Sequence, residues 1–120
     1  MKKILIPIIS ILFVLTSCTD TNKKNVKYMA TGAISAYNLQ HMDSNSELTN
    51  LEFVPQSAQD IWSYSYIADE GDIVYLSGNY KDINSSLKLM ILIDGKVYKQ
   101  ASNTADTIAF LTISGTIPYE

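Results

Sequence analysis

From Val26 onward, apolar and polar residues alternate with a period of two, and almost no stretch keeps the three-to-four spacing of a helix. The clearest case is residues 87–93, LKLMILI. Leu87, Leu89, Ile91 and Ile93 share one face and Lys88, Met90 and Leu92 the other, which predicts a strand with at least one buried face. Asp94-Gly95 follows at once and leads into KVYKQ. Two residues tolerant of positive φ between two such runs predict a β-hairpin. Further strands are predicted at 26–33, 37–42, 48–54, 61–68, 73–77 and 107–117. In IWSYSYIA, Trp62, Tyr64 and Tyr66 alternate with Ser63 and Ser65, so an aromatic face meets something large, most readily the core. DEGD, residues 69–72, predicts a tight turn with Gly71 at positive φ. A single turn in PQSAQDI is the most helix the pattern allows. About seven short strands without a repeat predict an all-β fold, a single antiparallel, Ig-like β-sandwich, with a small barrel as the alternative.

The N-terminus has a different pattern. Lys2 and Lys3 precede an apolar run from Ile4 to Leu15, the layout of a secretory signal. The run is shorter than the roughly 20 apolar residues a spanning helix needs, and it contains Pro7. It ends in Leu15-Thr16-Ser17-Cys18 instead of an A-x-A-like exit. That ending resembles the bacterial lipobox, in which the cysteine receives a diacylglyceryl thioether and becomes the mature N-terminus. Cys18 is the only cysteine of the chain, so it has no partner for an internal disulfide. Each buried methylene contributes about 0.8 kcal/mol, and two or more acyl chains give stable anchoring where one does not. Residues 1–17 are therefore expected to be a lipoprotein signal peptide and 18–25 the acylated Cys18 with a flexible polar tether. Residues 26–120 are expected to form one β-sandwich domain, lipid-anchored on the extracytoplasmic side of the cell envelope, in the periplasm or at the surface.

Charge narrows the partners. The chain has 9 basic and 12 acidic residues, and loss of Lys2 and Lys3 with the signal peptide leaves a side-chain balance of about −5. That argues against nucleic acid. Every basic residue is lysine, so no planar guanidinium fork is present for bidentate phosphate recognition.

Candidate chemistry is sparse. His41 is the sole histidine, and Asp43 follows it by two on the same predicted strand face; a hydrolytic role for this pair is the weakest reading, since a surface His beside an Asp is ordinary. Asp69, Glu70 and Asp72 crowd one turn without the spacing of a twelve-residue calcium loop, which favours a solvated turn. No cofactor or metal is expected. Eight tyrosines remain; Tyr64, Tyr66, Tyr75 and Tyr80, with Tyr98, lie in or beside predicted strands, and several sharing an exposed face would form a platform for a glycan or protein partner. The competing reading is that tyrosine suits a strand and reaches the rim of a small core.

Four runs, VKYMATG (26–32), IWSYSYIADEGDIVYLSG (61–78), ILIDGKVYKQAS (91–102) and ISGTIP (113–118), together resemble the MmpS-type domain. Members of that family read approximately V-x-Y-x-V-T-G, P-W-S-x-x-F, G-D-x-V-x-L-S-A and I-x-V-D-G-K-V in the same order. The resemblance implies an extracytoplasmic β-sandwich in a small membrane-anchored protein that works, in mycobacteria, beside large RND-type lipid and siderophore exporters. This chain departs from the family in its lipobox, where a transmembrane anchor is usual, and in lacking the extracytoplasmic cysteine pair. Each matched residue has a structural role in this reading, Trp62 in the core and Gly32, Gly71 and Asp94-Gly95 at bends and turns, so no catalytic residue is carried across. The expected function is a non-enzymatic envelope lipoprotein whose sandwich binds a protein partner, as an accessory to a membrane transporter or envelope assembly system. A surface glycan- or ligand-binding module is the alternative.

Overall fold

The computed structural model describes residues 22–104 and 109–119; residues 1–17, expected as a signal peptide, and Cys18 lie outside the described residues. Eight strands run β1 (Lys23–Thr31), β2 (Tyr37–Met42), β3 (Leu48–Phe53), β4 (Trp62–Asp69), β5 (Ile73–Tyr80), β6 (Ser86–Ile93), β7 (Lys96–Thr104) and β8 (Ala109–Thr116). They form two four-stranded antiparallel sheets, β4-β1-β6-β7 and β3-β2-β5-β8, packed face to face as a β-sandwich. β1 pairs with β4 in one sheet while β2 pairs with β5 in the other, so the links β1–β2 and β4–β5 each cross between sheets.

The period-two pattern sets the core. Val26, Tyr28 and Ala30 of β1 and Leu87, Leu89 and Ile91 of β6 are buried against Leu39, Val74, Leu76 and Ile113 of the facing sheet. At the expected hairpin, Asp94 and Gly95 both have positive φ, 51° and 83°, the signature of a type I′ turn. Gly71 also has the expected positive φ, 89°, and a Cβ there would run into the Tyr119 ring.

Two expectations are corrected. β5 continues past Ser77 through Gly78 to Tyr80. Gly78 faces inward opposite Leu39, and a Cβ there would come within 2.8 Å of the Leu87 side chain. The glycine marks a close approach inside a strand. The second correction concerns the tether. Lys23, Lys24 and Asn25, expected as flexible linker, are strand residues paired with Asp69, Ala68 and Ile67.

Lys24 continues the inward row of β1 and is only 6% exposed. Its Nζ lies 3.8 Å from both the Glu70 and the Asp94 carboxylates. Asp94 also accepts the Asn25 N–H at 2.8 Å, and Lys23 pairs with Asp69 at 2.7 Å. The first residues of β1 therefore bind the β4–β5 and β6–β7 turns into one end of the sandwich. Lys24→Met would leave Glu70 without its countercharge and should lower the unfolding free energy by about 2–3 kcal/mol, measured by urea denaturation. Adding Glu70→Gln should recover part of that loss, and an unchanged urea midpoint in the single variant would mean that the ion pairs contribute nothing.

Candidate functional site

His41 closes the inward row Tyr37, Leu39, His41 of β2 and is 2% exposed. Its ring centroid lies 4.6 Å from that of Tyr64 and 5.4 Å from those of Trp62 and Tyr28. Nδ1 is 3.2 Å from the carbonyl oxygen of Met42, to which an Nδ1–H tautomer donates. The surface histidine expected from the sequence is thus an interior one. Asp43 has left the strand for the β2–β3 turn, where its carboxylate accepts the N–H groups of Asn45 (2.8 Å) and Glu47 (3.1 Å) and the Thr49 hydroxyl (3.1 Å). The Glu47 N–H first, then that of Asn45, hold its carboxyl below the usual range. No hydrogen bond joins His41 to Asp43 among the described residues.

The four tyrosines do not share a face, which corrects the idea of a single platform. Tyr64 and Tyr66 point inward along β4 and pack half-buried against the core at its open edge. Tyr66 shares a 2.9 Å hydrogen bond with the hydroxyl of Tyr28, which in turn accepts the Tyr75 N–H at 3.4 Å. Burial pushes both phenols above their ordinary value. Tyr80 is inward and only 5% exposed, cross-strand from the buried Tyr37, whose phenol burial pushes up to about 12. The Tyr75 side chain stands on the outer face of the other sheet, in the row of Ile73, Ser77 and Asn79.

The acidic turn is committed internally. Asp69 pairs with Lys23, Glu70 faces Lys24, and the Asp72 carboxylate accepts the Asp69 N–H at 3.0 Å. Among the described residues, no group of three or more His, Cys, Asp or Glu is placed to hold a metal ion.

The outer face of β4-β1-β6-β7 was not foreseen as a site. Met29 of β1 stands opposite Met90 of β6, and one row along, Lys27 stands opposite Leu92, which faces Val97 of β7. Met29, Met90 and Leu92 are half-buried and Val97 is 51% exposed, giving an apolar band across three strands. Ile67 on β4 adds a further exposed apolar side chain, and Lys27 and Lys88 flank the band. The signal for this face lay in LKLMILI, whose second alternating set, Lys88, Met90, Leu92, is itself mostly apolar.

No protein-family model and no curated protein matches this chain.

The Tyr28–Tyr66 pair makes a pH prediction. Above pH 10 the unfolded chain releases phenolic protons that the folded pair still holds, so the unfolded state binds fewer protons and stability falls as pH rises. Tyr66→Phe should cost about 1 kcal/mol at pH 7 and flatten this alkaline decline, as read from thermal unfolding between pH 7 and 11.5. An equally steep decline in the variant would place its origin elsewhere.

Proposed function

We propose that the protein is a non-enzymatic envelope lipoprotein, held by acylated Cys18, whose sandwich binds a protein partner through the outer face of β4-β1-β6-β7. The observation that carries this reading is the band Met29, Met90, Leu92, Val97, flanked by Lys27 and Lys88. A sheet face open to water ordinarily alternates polar residues against the core set, and here the outward set is apolar at its centre. Methionine adapts its shape to a partner surface, and flanking lysines favour an acidic rim opposite. Four strands spaced 4.8 Å apart and about eight residues long present a face of roughly 500 Å², at the scale of a modest, transient interface. A membrane tether compensates for modest affinity by raising the partner's effective concentration.

The lipobox at Leu15, Thr16, Ser17 and Cys18 supports the anchor, and the MmpS-type pattern supports a role beside a membrane transporter or envelope assembly system. The chemistry of the anchor is tested by intact mass of protein extracted from its native membrane: a chain beginning at acylated Cys18 is expected, and a Cys18→Ser variant should lose the acyl mass. Partner binding is tested by a photocrosslinker at Met29 in native membranes. One recurrent high-mass adduct is expected, reduced at least tenfold when Leu92→Lys is added with thermal stability nearly unchanged. Crosslinking that yields no specific adduct, or one indifferent to Leu92→Lys, would defeat the proposal.

A further inference from the structure

The opposite outer face, on β3-β2-β5-β8, has a different chemistry. A shallow groove of about 440 Å³ crosses it, lined by Asn38 and Gln40 (β2), Asn50 (β3), Ser77 and Asn79 (β5) and Phe110 (β8), together with Leu39 and Leu51. Register places these residues together: Gln40 stands opposite both Asn50 and Ser77, Asn38 opposite Asn79, and Asn79 opposite Phe110. Ser77 is the short side chain in the middle, so the longer amides and the phenyl ring rise around it and leave a depression.

None of the lining residues is ionisable. In a chain whose mature form carries a balance of about −5, a groove lined by four amides, a hydroxyl, a phenyl ring and two leucines carries no charge of its own, the nearest carboxylate in register being that of Glu52 opposite Asn38. Asn38 Nδ2 reaches Asn79 Oδ1 only at 3.4 Å, and the side-chain amides of Gln40 and Asn50 make no hydrogen bond among the described residues. Each amide therefore offers a donor and an acceptor side by side. At one end, Phe110 is 57% exposed and has no polar atom to justify its exposure to water.

We infer that this groove binds a neutral saccharide. Vicinal hydroxyls present paired donors and acceptors that match an amide, and the C–H face of a pyranose suits the electron-rich face of a phenyl ring. The absence of charge matches a neutral ligand and gives an anionic one nothing to pair with. The groove lies within the 300–1,000 Å³ range of small-molecule sites, and its open shape accepts a chain that runs on beyond it. The site lies on the other sheet from the partner-binding face and stands or falls independently of it.

The test uses the full-length protein in lipid nanodiscs, titrated with maltotetraose, cellotetraose and chitotetraose, and with tetragalacturonate as the anionic counterpart, by saturation-transfer NMR. Saturable binding of at least one neutral tetrasaccharide is expected, with Kd of about 0.1–1 mM, as suits a shallow site. Preference for chitotetraose would assign the ligand to N-acetylated amino-sugar polymers of the envelope, and preference for a glucan to external polysaccharide. Phe110→Ala and Asn50→Asp should each weaken binding at least tenfold with the unfolding midpoint nearly unchanged, while Leu92→Lys leaves it intact. Binding to none of the neutral sugars, equal binding of tetragalacturonate, or binding that survives both groove substitutions would overturn the inference.

Discussion

The fold depends on β1 being held between two strands distant in sequence. Tyr28 at its centre is paired with Tyr64 of β4 on one side and Ile91 of β6 on the other. Its inward row, Lys24, Val26, Tyr28 and Ala30, is buried throughout, and its outward row supplies Lys27 and Met29 to the candidate docking face. A slip of one residue in this register would exchange the two rows, sending lysine and methionine into the core and the core set to solvent. The ion pairs of Lys23 with Asp69 and of Lys24 with Glu70 and Asp94 work against such a slip, since each requires β1 to begin level with the two turns. Core, register and docking face are consequences of one strand's placement.

The two sheets share a core and differ outside it. Both bury leucine, isoleucine and valine inward, so the inner pattern alone does not distinguish them. Outward, one sheet presents methionine, leucine and valine beside lysine, and the other asparagine, glutamine and serine beside phenylalanine. Neither face needs its composition for packing against the core, so each is free to follow what it meets outside. An uncharged groove with several amides suits a hydroxyl-rich ligand, while an apolar surface gains by excluding water. This asymmetry is the reason for proposing two separate surfaces on one small domain instead of a single broad one.

Strand positions were largely legible because alternation and turn chemistry agree: 37–42 and the Asp94-Gly95 hairpin appear where the pattern puts them. Local pattern failed where pairing overrode it. The pattern ends the strand at Ser77, yet β2 and β8 flank Gly78-Asn79 and carry β5 onward. Lys23-Lys24-Asn25 reads as linker because lysine is rarely buried, and its carboxylate partners are supplied only by tertiary structure. His41 was legible in principle, since it follows Tyr37 and Leu39 at period two. Its polar type and position at the strand end suggested the surface, while Trp62 and Tyr64, remote in sequence, enclose it. The tyrosines separated because parity tells which residues of one strand share a side, but not which side of which sheet that is. The amide groove could not be read at all, as its residues come from four strands whose order is set by the crossovers between sheets.

The position of β1 also bears on how an acylated chain would stand on a membrane. Four residues of sequence, Thr19 to Asn22, separate Cys18 from the first strand residue, and the Asn22 carbonyl accepts the Glu70 N–H at 2.8 Å. Under the proposed acylation of Cys18, the end nearest the anchor would be the one carrying Asp69, Glu70, Asp72 and Asp94, a set that an anionic headgroup layer repels where it is uncompensated. It is partly compensated: Lys23 and Lys24 engage Asp69, Glu70 and Asp94, while Asp72 accepts the Asp69 N–H. Under the proposed anchoring, internal pairing would let this acidic end sit close to lipid. A partner rising from the same membrane would meet the apolar face edge-on, and the amide groove would remain open on the opposite side.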